Sequence, residues 1–256
     1  MKEFDRLVEL IKVLRGENGC PWDRVQTLES LKPCLLEETA EVLEAMEGSA
    51  QEHKGELGDL LMNIVFQADI REDMGDFNIE DVSKEVCEKL IRRHPHVFKD
   101  KNTQLTPEET LLNWEAIKKQ EKIHENRKSV LDGIPKYLPS LSKAQKMQKK
   151  ASKVGFDWDN IEGVINKIYE ELDEVKEEIK NKDREKISEE IGDLLFAVVN
   201  LARFLDVDAT MALENTIKKF DRRFRYVESK CEIEKSNLKE MDFFWEEAKK
   251  LEKNKN

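Results

Sequence analysis

The chain has 256 residues, which is enough for one large domain or two of ordinary size. Its 55 acidic and 44 basic residues give a formal net charge of −11, and this excess of negative charge argues against binding to nucleic-acid backbones or to anionic membrane surfaces. Because no apolar run approaches the roughly 20 residues of a membrane-spanning helix and the N-terminus lacks a signal-peptide pattern, we expect a cytoplasmic protein.

The first predicted element pair is a helix hairpin that turns near Gly48 and Ser49. Its first helix carries two acids three residues apart, and its second helix repeats that spacing. Residues three apart lie on one face of a helix, so each helix presents a pair of carboxylates. The four acids are Glu38, Glu41, Glu56 and Asp59.

A break in the helical pattern follows near the middle of the chain. Gly133, Pro135 and Pro139 fall within seven residues, and proline and glycine interrupt helices. We therefore place a first unit at 1–128, a linker at 129–135 and a second unit at 136–256.

A second helix hairpin is predicted beyond this break. Apolar residues recur every three or four positions from Ile161 to Ile179 and again from Ile187 to Leu205, which is typical of amphipathic helices. Residues 181–183 form the turn between them. The four acids of this hairpin are Glu171, Glu174, Glu190 and Asp193.

The two hairpins belong to a longer internal repeat with an offset of 130 to 136 residues. Three further matches are Gly19–Asp23 with Gly155–Asp159, Lys89–Arg93 with Lys219–Arg223, and Trp114 with Trp245. Collinear matches of this kind indicate duplication of one structural unit. The sequence therefore predicts an all-α fold of two tandem helical-bundle units, each with a metal site in its hairpin.

Helix geometry predicts where the acids of the second hairpin point. At about 100° per residue, both pairs fall on the same side of the hairpin, and Lys167 lies on that side one turn before Glu171. Four converging carboxylates are costly unless a cation neutralises them, and Mg²⁺ prefers oxygen ligands. We also predict that Gly58 and Gly192 let neighbouring helices approach closely beside the acids. The alternative is an ordinary solvated acidic face.

These motifs resemble the MazG family. The resemblance covers almost the whole chain and rests on the repeated acidic pattern and on three segments, Gly19–Asp23, Arg92–Phe98 and Val154–Trp158. It implies hydrolysis of a broad range of ribo- and deoxyribonucleoside triphosphates to monophosphate and pyrophosphate. It further implies Mg²⁺ as cofactor, a homodimer, and a C-terminal unit with most of the activity.

The resemblance also implies roles for individual residues. The metal-binding and catalytic positions fall on Glu171, Glu174, Glu190 and Asp193. The substrate-binding positions fall on Lys167, Lys186, Lys219, Arg223 and Trp245. For Lys219 and Arg223 the alternative is a solvated basic face, and for Trp245 it is a core or interface tryptophan.

The duplication allows the two units to be compared directly. Cys34 stands where the second unit has Lys167, and Glu52 stands where it has Lys186. Charge-assisted contacts with phosphate are worth roughly 1.5–3 kcal/mol each, so we expect the first unit to bind a triphosphate weakly. The second unit is the predicted catalyst, and the first retains a secondary metal site.

Two other functions remain open from the sequence. A helical scaffold or regulatory protein could bind nucleotides without cleaving them. A narrower hydrolase could act on a single non-standard nucleotide.

Overall fold

A computed structural model describes residues 2–99, 105–119 and 128–253. Within these ranges every regular element is a helix and none is a strand, so the all-α prediction is confirmed. The described helices include no apolar stretch long enough to cross a lipid bilayer. The chain divides into two compact units, Met1–Lys122 and Ile123–Asn256.

The first unit is organised around one long helix hairpin. Its described helices are α1 (Lys2–Arg15), α2 (Pro21–Arg24), α3 (Leu31–Ala45), α4 (Ala50–Asp73), α5 (Ile79–Arg93), α6 (Pro95–Phe98) and α7 (Pro107–Lys119). Helices α3 and α4 form the hairpin, and α1 packs against α4. The core brings together Ile11, Leu31, Val65, Phe66 and Ile70.

The second unit repeats this plan. Its described helices are α8 (Ser140–Ser152), α9 (Ile161–Asn181), α10 (Arg184–Phe204), α11 (Ala209–Glu228) and α12 (Leu238–Lys253), with a short 3₁₀ helix at Ile233–Lys235. Helices α9 and α10 form the hairpin, α8 packs on α10, and α11 packs on α12. The predicted second hairpin is therefore present.

Local side-chain contacts set the ends of the hairpin helices. The side chain of Asn160 accepts a hydrogen bond from the backbone N–H of Gly163 at 3.1 Å and so caps the start of α9. Lys182 ends that helix in the left-handed conformation, with φ of 60°. Asp183 then caps α10 by accepting from the N–H groups of Glu185 and Lys186.

Residues predicted to form a linker are held by the second unit. Lys150 of α8 donates hydrogen bonds to the carbonyl of Val130 at 3.0 Å and to that of Asp132 at 2.8 Å. The Asp132 carboxylate in turn accepts from the backbone N–H of Ser129 at 2.9 Å. These contacts fix the 128–133 turn against α8.

Candidate metal centre and adjoining cavity

Three of the four predicted acids of the second unit converge. Glu171 and Glu174 of α9 and Glu190 of α10 each offer an oxygen, and these oxygens lie within 4.8 Å of one another. Glu171 is only 5% exposed. Partial desolvation, a hydrogen bond with Glu171, and the charges of Glu171 and Glu190 raise the pKa of Glu174 above its usual value. This crowding of negative charge favours a bound cation.

Asp193 takes a different place from the one predicted. It lies three residues after Glu190 on α10 and is exposed, but it is outside the group of three converging oxygens. Instead it lines the adjoining cavity together with Lys167 and Glu171. Asp193 therefore stands between the acids and the cavity.

Lys167 neutralises the most buried acid. Its Nζ lies 2.7 Å from Glu171 Oε1 and 2.7 Å from Glu170 Oε1. The hydrogen bonds to Glu170 and Glu171 raise the pKa of Lys167, so this side chain is a cation at neutral pH. The predicted position of Lys167, one turn before Glu171, places a positive charge at the edge of the acid group.

Lys186 lies in the first turn of α10, one turn before Glu190. Its Nζ is 3.9 Å from Glu178 Oε1, and the side chain is largely exposed. Its counterpart Glu52 is part of a capping box, in which its carboxylate accepts from the backbone N–H of Ser49 at 2.7 Å. The negative charge of Glu52 therefore has a local structural role at the start of α4.

The remaining predicted substrate residues form a group on α11 and α12. Arg223 donates two hydrogen bonds to Glu252, at 2.7 and 2.9 Å, and its guanidinium lies 5.7 Å from the ring centre of Trp245. The Trp245 ring also contacts Phe220 at 5.1 Å between centroids. Lys219 is exposed on the same helix. None of Lys186, Lys219, Arg223 and Trp245 is among the described residues that line the cavity.

The first unit has its own acid group. Glu38 of α3 and Glu56 and Asp59 of α4 converge within 4.8 Å, while Glu41 is outside this set. Burial, and then the charges of Asp59, Glu41 and Glu56, raise the pKa of Glu38. One Glu38 oxygen is buried without a hydrogen-bond partner among the described residues. The first unit thus keeps the acids but has Cys34 in the position of Lys167.

The prediction for the two glycines beside the acids was wrong. A Cβ atom added at Gly58 or at Gly192 would meet no other atom within 4 Å. These glycines therefore leave open space on the helix surface and do not mark a close helix contact.

A cavity of about 620 Å³ adjoins the acids of the second unit, within the roughly 300–1,000 Å³ typical of small-molecule sites. Most of its wall is apolar. The apolar lining residues are Leu131, Met147, Ala151, Phe156, Trp158, Phe196 and Ala197, and the polar ones away from the acids are Gln148, Asp157, Asn200 and Arg203.

Most of this wall escaped sequence reasoning. Arg203 donates to both carboxylate oxygens of Asp157, at 2.5 and 2.9 Å, and its Nε donates to Asn200 Oδ1 at 2.8 Å. The one signal in the sequence was the repeat of Gly19–Asp23 as Gly155–Asp159. That repeat marks a segment of the wall without revealing its partners.

Comparison with known proteins agrees with this architecture. The MazG nucleotide pyrophosphohydrolase domain matches residues 26–98 and 160–227. A nucleoside triphosphate pyrophosphohydrolase of Escherichia coli K12 is 44% identical over 261 residues, covering 98% of this chain and 99% of that protein. The nucleoside triphosphate pyrophosphohydrolase/pyrophosphatase MazG of Thermotoga maritima is 46% identical over 252 residues, covering 96% of this chain and 95% of that protein. A crystal structure of a mazG-related protein from Thermotoga maritima matches 45% of this chain and 99% of its own, with 30% identity and a TM-score of 0.39.

The two matched ranges contain the two helix hairpins and their acids. The predicted duplication and the predicted class of enzyme are both confirmed by these matches. The chain belongs to the MazG nucleotide pyrophosphohydrolase family.

Proposed function

We propose that this protein hydrolyses nucleoside triphosphates, both ribo- and deoxyribo-, to monophosphate and pyrophosphate at a magnesium site in its second unit. The observation that carries the proposal is the convergence of Glu171, Glu174 and Glu190 beside Lys167 and a cavity of nucleotide size. Relatives that are 44% and 46% identical over nearly their full lengths are named for this reaction.

The residues present fit a magnesium ion. Their oxygens are the hard ligands that Mg²⁺ prefers, and the raised pKa of Glu174 reflects charge repulsion that a divalent cation would relieve. We propose Glu171, Glu174 and Glu190 as ligands, with Asp193 as the fourth. When bound, the ion would polarise the α-phosphoryl group and lower the pKa of a bound water.

The side chains would divide the remaining work. Water attacks the α-phosphorus, the bond to the α–β bridging oxygen breaks, and that oxygen leaves with pyrophosphate. We assign Glu171 to orient the water and accept its proton, because this carboxylate is the most buried of the acids and Lys167 fixes its position. Lys167 also faces the phosphate chain as a cation.

Three cations outside the cavity complete the proposed site. Lys186 is one turn from Glu190 and is available to the phosphates. Lys219 and Arg223 are proposed to meet the leaving pyrophosphate, and Arg223 would then exchange its present partner, Glu252, for phosphate oxygens. Such an exchange is favourable only when the substrate's negative charge is present.

The first unit is proposed to be regulatory or weakly active. Its acids converge as in the second unit, but it lacks the cation that Lys167 supplies, because Cys34 occupies that position. A triphosphate would therefore meet uncompensated negative charge there. We expect this unit to bind a divalent cation without rapid turnover.

Pyrophosphate release from a panel of nucleoside triphosphates, with and without Mg²⁺, tests the proposal. We expect Glu174→Ala to lower kcat at least about a hundredfold, because it removes a ligand. The matched change Glu41→Ala in the first unit should leave most of the activity, and both glutamates are exposed, so folding is preserved. The reverse ranking would assign catalysis to the first unit.

The products separate the proposal from its alternatives. Release of orthophosphate would show that a different bond is cut. Turnover of only one non-standard nucleotide would support the narrow hydrolase, and nucleotide binding without any product would support a scaffold.

A further inference from the structure

We propose that the cavity of the second unit is the subsite for the nucleobase, held between the aromatic rings of Phe156 and Trp158 and the amide of Asn200. This inference rests on the proposed function, because it assumes that the triphosphate lies at the acids. It adds the part of the enzyme that recognises the rest of the nucleotide.

The wall formed by α10 changes from charged to apolar in the order that a nucleotide requires. Asp193, Phe196, Ala197, Asn200 and Arg203 all line the cavity, and their spacing of three or four residues places them on one stripe of the helix. From Asp193 to Asn200 the stripe rises about 10 Å, at 1.5 Å per residue. Phosphates at the charged end would therefore direct the sugar and base along the apolar part.

Two amide side chains offer hydrogen bonds to a base. Asn200 Oδ1 accepts from Arg203 at 2.8 Å, and its Nδ2 makes no hydrogen bond within the described ranges, so it is available as a donor. Gln148 donates to the carbonyl of Phe196 at 2.8 Å, and its Oε1 is buried without a partner among those residues. Every nucleobase edge presents an acceptor, so a single donor on Asn200 suits a broad range of bases.

The segment Gly155–Trp158, which we call the rim, is held in a defined conformation. Gly155 has φ of 87°, a value that favours glycine, and Asp157 is fixed by Arg203. A Cβ atom at Gly163 would come within 2.6 Å of the Trp158 ring, so this glycine lets the tryptophan lie against the start of α9. The aromatic rings of the rim are thus positioned before any ligand binds.

The first unit shows what happens when larger side chains occupy the equivalent positions. Phe66 and Arg15 stand where the second unit has Asn200 and Ala151. Phe66 is 6% exposed within the core, and the Arg15 guanidinium lies over its ring at 5.5 Å. The second unit has smaller side chains at both positions, and it has the cavity beside them.

Trp245 is the competing site for the base. Its ring already packs between Phe220 and the Arg223 guanidinium, and it does not line the cavity. Within one chain, the cavity is therefore the better place for a base whose phosphates lie at Glu171 and Glu190.

Photolabelling of the full chain with 8-azidoadenosine triphosphate tests the location directly. We expect labelling that ATP competes away, attached to the rim or to α10 between Phe196 and Arg203. Attachment on α12 around Trp245, or no labelling that ATP competes away, would overturn the inference.

A substitution taken from the first unit provides a second test. Asn200→Phe should fill the cavity without preventing folding, because phenylalanine occupies the matching position of the first unit. We expect labelling to fall, and KM for ATP to rise, at least about fivefold. The matched control Asn215→Phe, at an exposed position of α11, should change neither. Unchanged labelling in Asn200→Phe would contradict the inference.

Pyrophosphate release from the same samples separates this inference from the proposed function. A chain that labels at the cavity but releases no pyrophosphate keeps the base subsite and loses the hydrolysis. A chain that releases pyrophosphate but labels elsewhere keeps the hydrolysis and loses this subsite.

Discussion

Lys167 and Cys34 occupy equivalent positions with opposite consequences for the acids beside them. In the second unit, Lys167 lies 2.7 Å from Glu171, so the buried carboxylate has a permanent counter-charge. In the first unit, burial and neighbouring acids raise the pKa of Glu38. One residue therefore separates an acid group that is partly neutralised from one that depends on protonation or on a cation.

We expect Lys167→Cys to convert the second acid group into a copy of the first. Without Mg²⁺ at pH 7, the free energy of unfolding should fall by about 1–2 kcal/mol, because Glu171 loses its partner in a site that solvent screens only in part. The pKa of Lys167 is raised above its ordinary value of 10.5, so its stabilising contribution is fully present at pH 7. Urea unfolding measures the change.

A matched substitution on the same helix provides the control. Lys176 pairs with Asp173 at 2.8 Å, but both side chains are largely exposed. Lys176→Cys should therefore change stability by less than about 0.5 kcal/mol. Added Mg²⁺ should restore stability to Lys167→Cys more than to the control, and equal responses of the two variants would rule out the pairing argument.

Sequence periodicity predicted some residues of the site and could not predict others. Glu171, Glu174 and Glu190 follow from spacing along helices, because positions three apart share a face whatever the tertiary fold. Asp157 and Arg203 are 46 residues apart and belong to no repeating pattern, so only folding brings them together. Asp193 illustrates the limit, since helix spacing fixed its side but not its distance from the other acids.

At the scale of elements, the Asp157–Arg203 pair joins the rim to α10. The hydrogen bond from Arg203, and then that from the backbone N–H of Trp158, lower the pKa of Asp157 below its ordinary value of 3.8. A carboxylate with a lowered pKa stabilises the fold above its unfolded pKa and loses that effect as pH falls through its folded pKa. The connection is therefore sensitive to acid.

We expect Asp157→Asn to lower the free energy of unfolding by about 1–2 kcal/mol at pH 7. The difference from the unmodified protein should shrink as pH falls below 3.8, the ordinary pKa of this carboxyl, because the native carboxyl is then also neutralised. Urea unfolding at pH 7 and in the acid range measures this. Asp173→Asn, which removes an exposed carboxylate, should cost little at either pH, and a pH-independent loss in Asp157→Asn would refute the role of the ion pair.

Helix positions were easier to predict than helix ends. The apolar repeats locate α9 and α10 because those residues pack between the two helices. The ends depend on single polar groups, such as Asn160 and Asp183, and on the left-handed backbone of Lys182. A lysine gives no sequence signal for that conformation, so the predicted second helix began three residues after the observed Arg184.

At the scale of the whole molecule, duplication preserved more geometry than function requires of both copies. The Arg93 guanidinium lies 5.1 Å from the Trp114 ring in the first unit, and Arg223 lies 5.7 Å from Trp245 in the second. These pairs are equivalent in the repeat, and both join helices. The cavity and Lys167 distinguish the second unit, which is why the proposed division of labour follows the hairpins and not the rest of the scaffold.

The hairpins also share an exposed apolar stripe, which we propose as the interface of a homodimer. Leu57, Leu61 and Ile64 on α4 match Ile191, Leu195 and Val198 on α10, and all six are between 38% and 54% exposed. Apolar stripes repeated on equivalent helices are unusual for a solvent-facing surface, and burial between copies would remove them from water.

Light scattering coupled to size-exclusion chromatography tests this assembly. We expect a mass of about 60 kDa, twice the chain mass of 30.0 kDa, and we expect Leu195→Glu to shift it toward 30.0 kDa because a charge in the stripe cannot be buried unpaired. Leu213→Glu, at a leucine of α11 that is 47% exposed and outside the stripe, should leave the mass unchanged. If Leu195→Glu keeps the full mass, or if the two variants dissociate equally, the stripe is not what joins the copies.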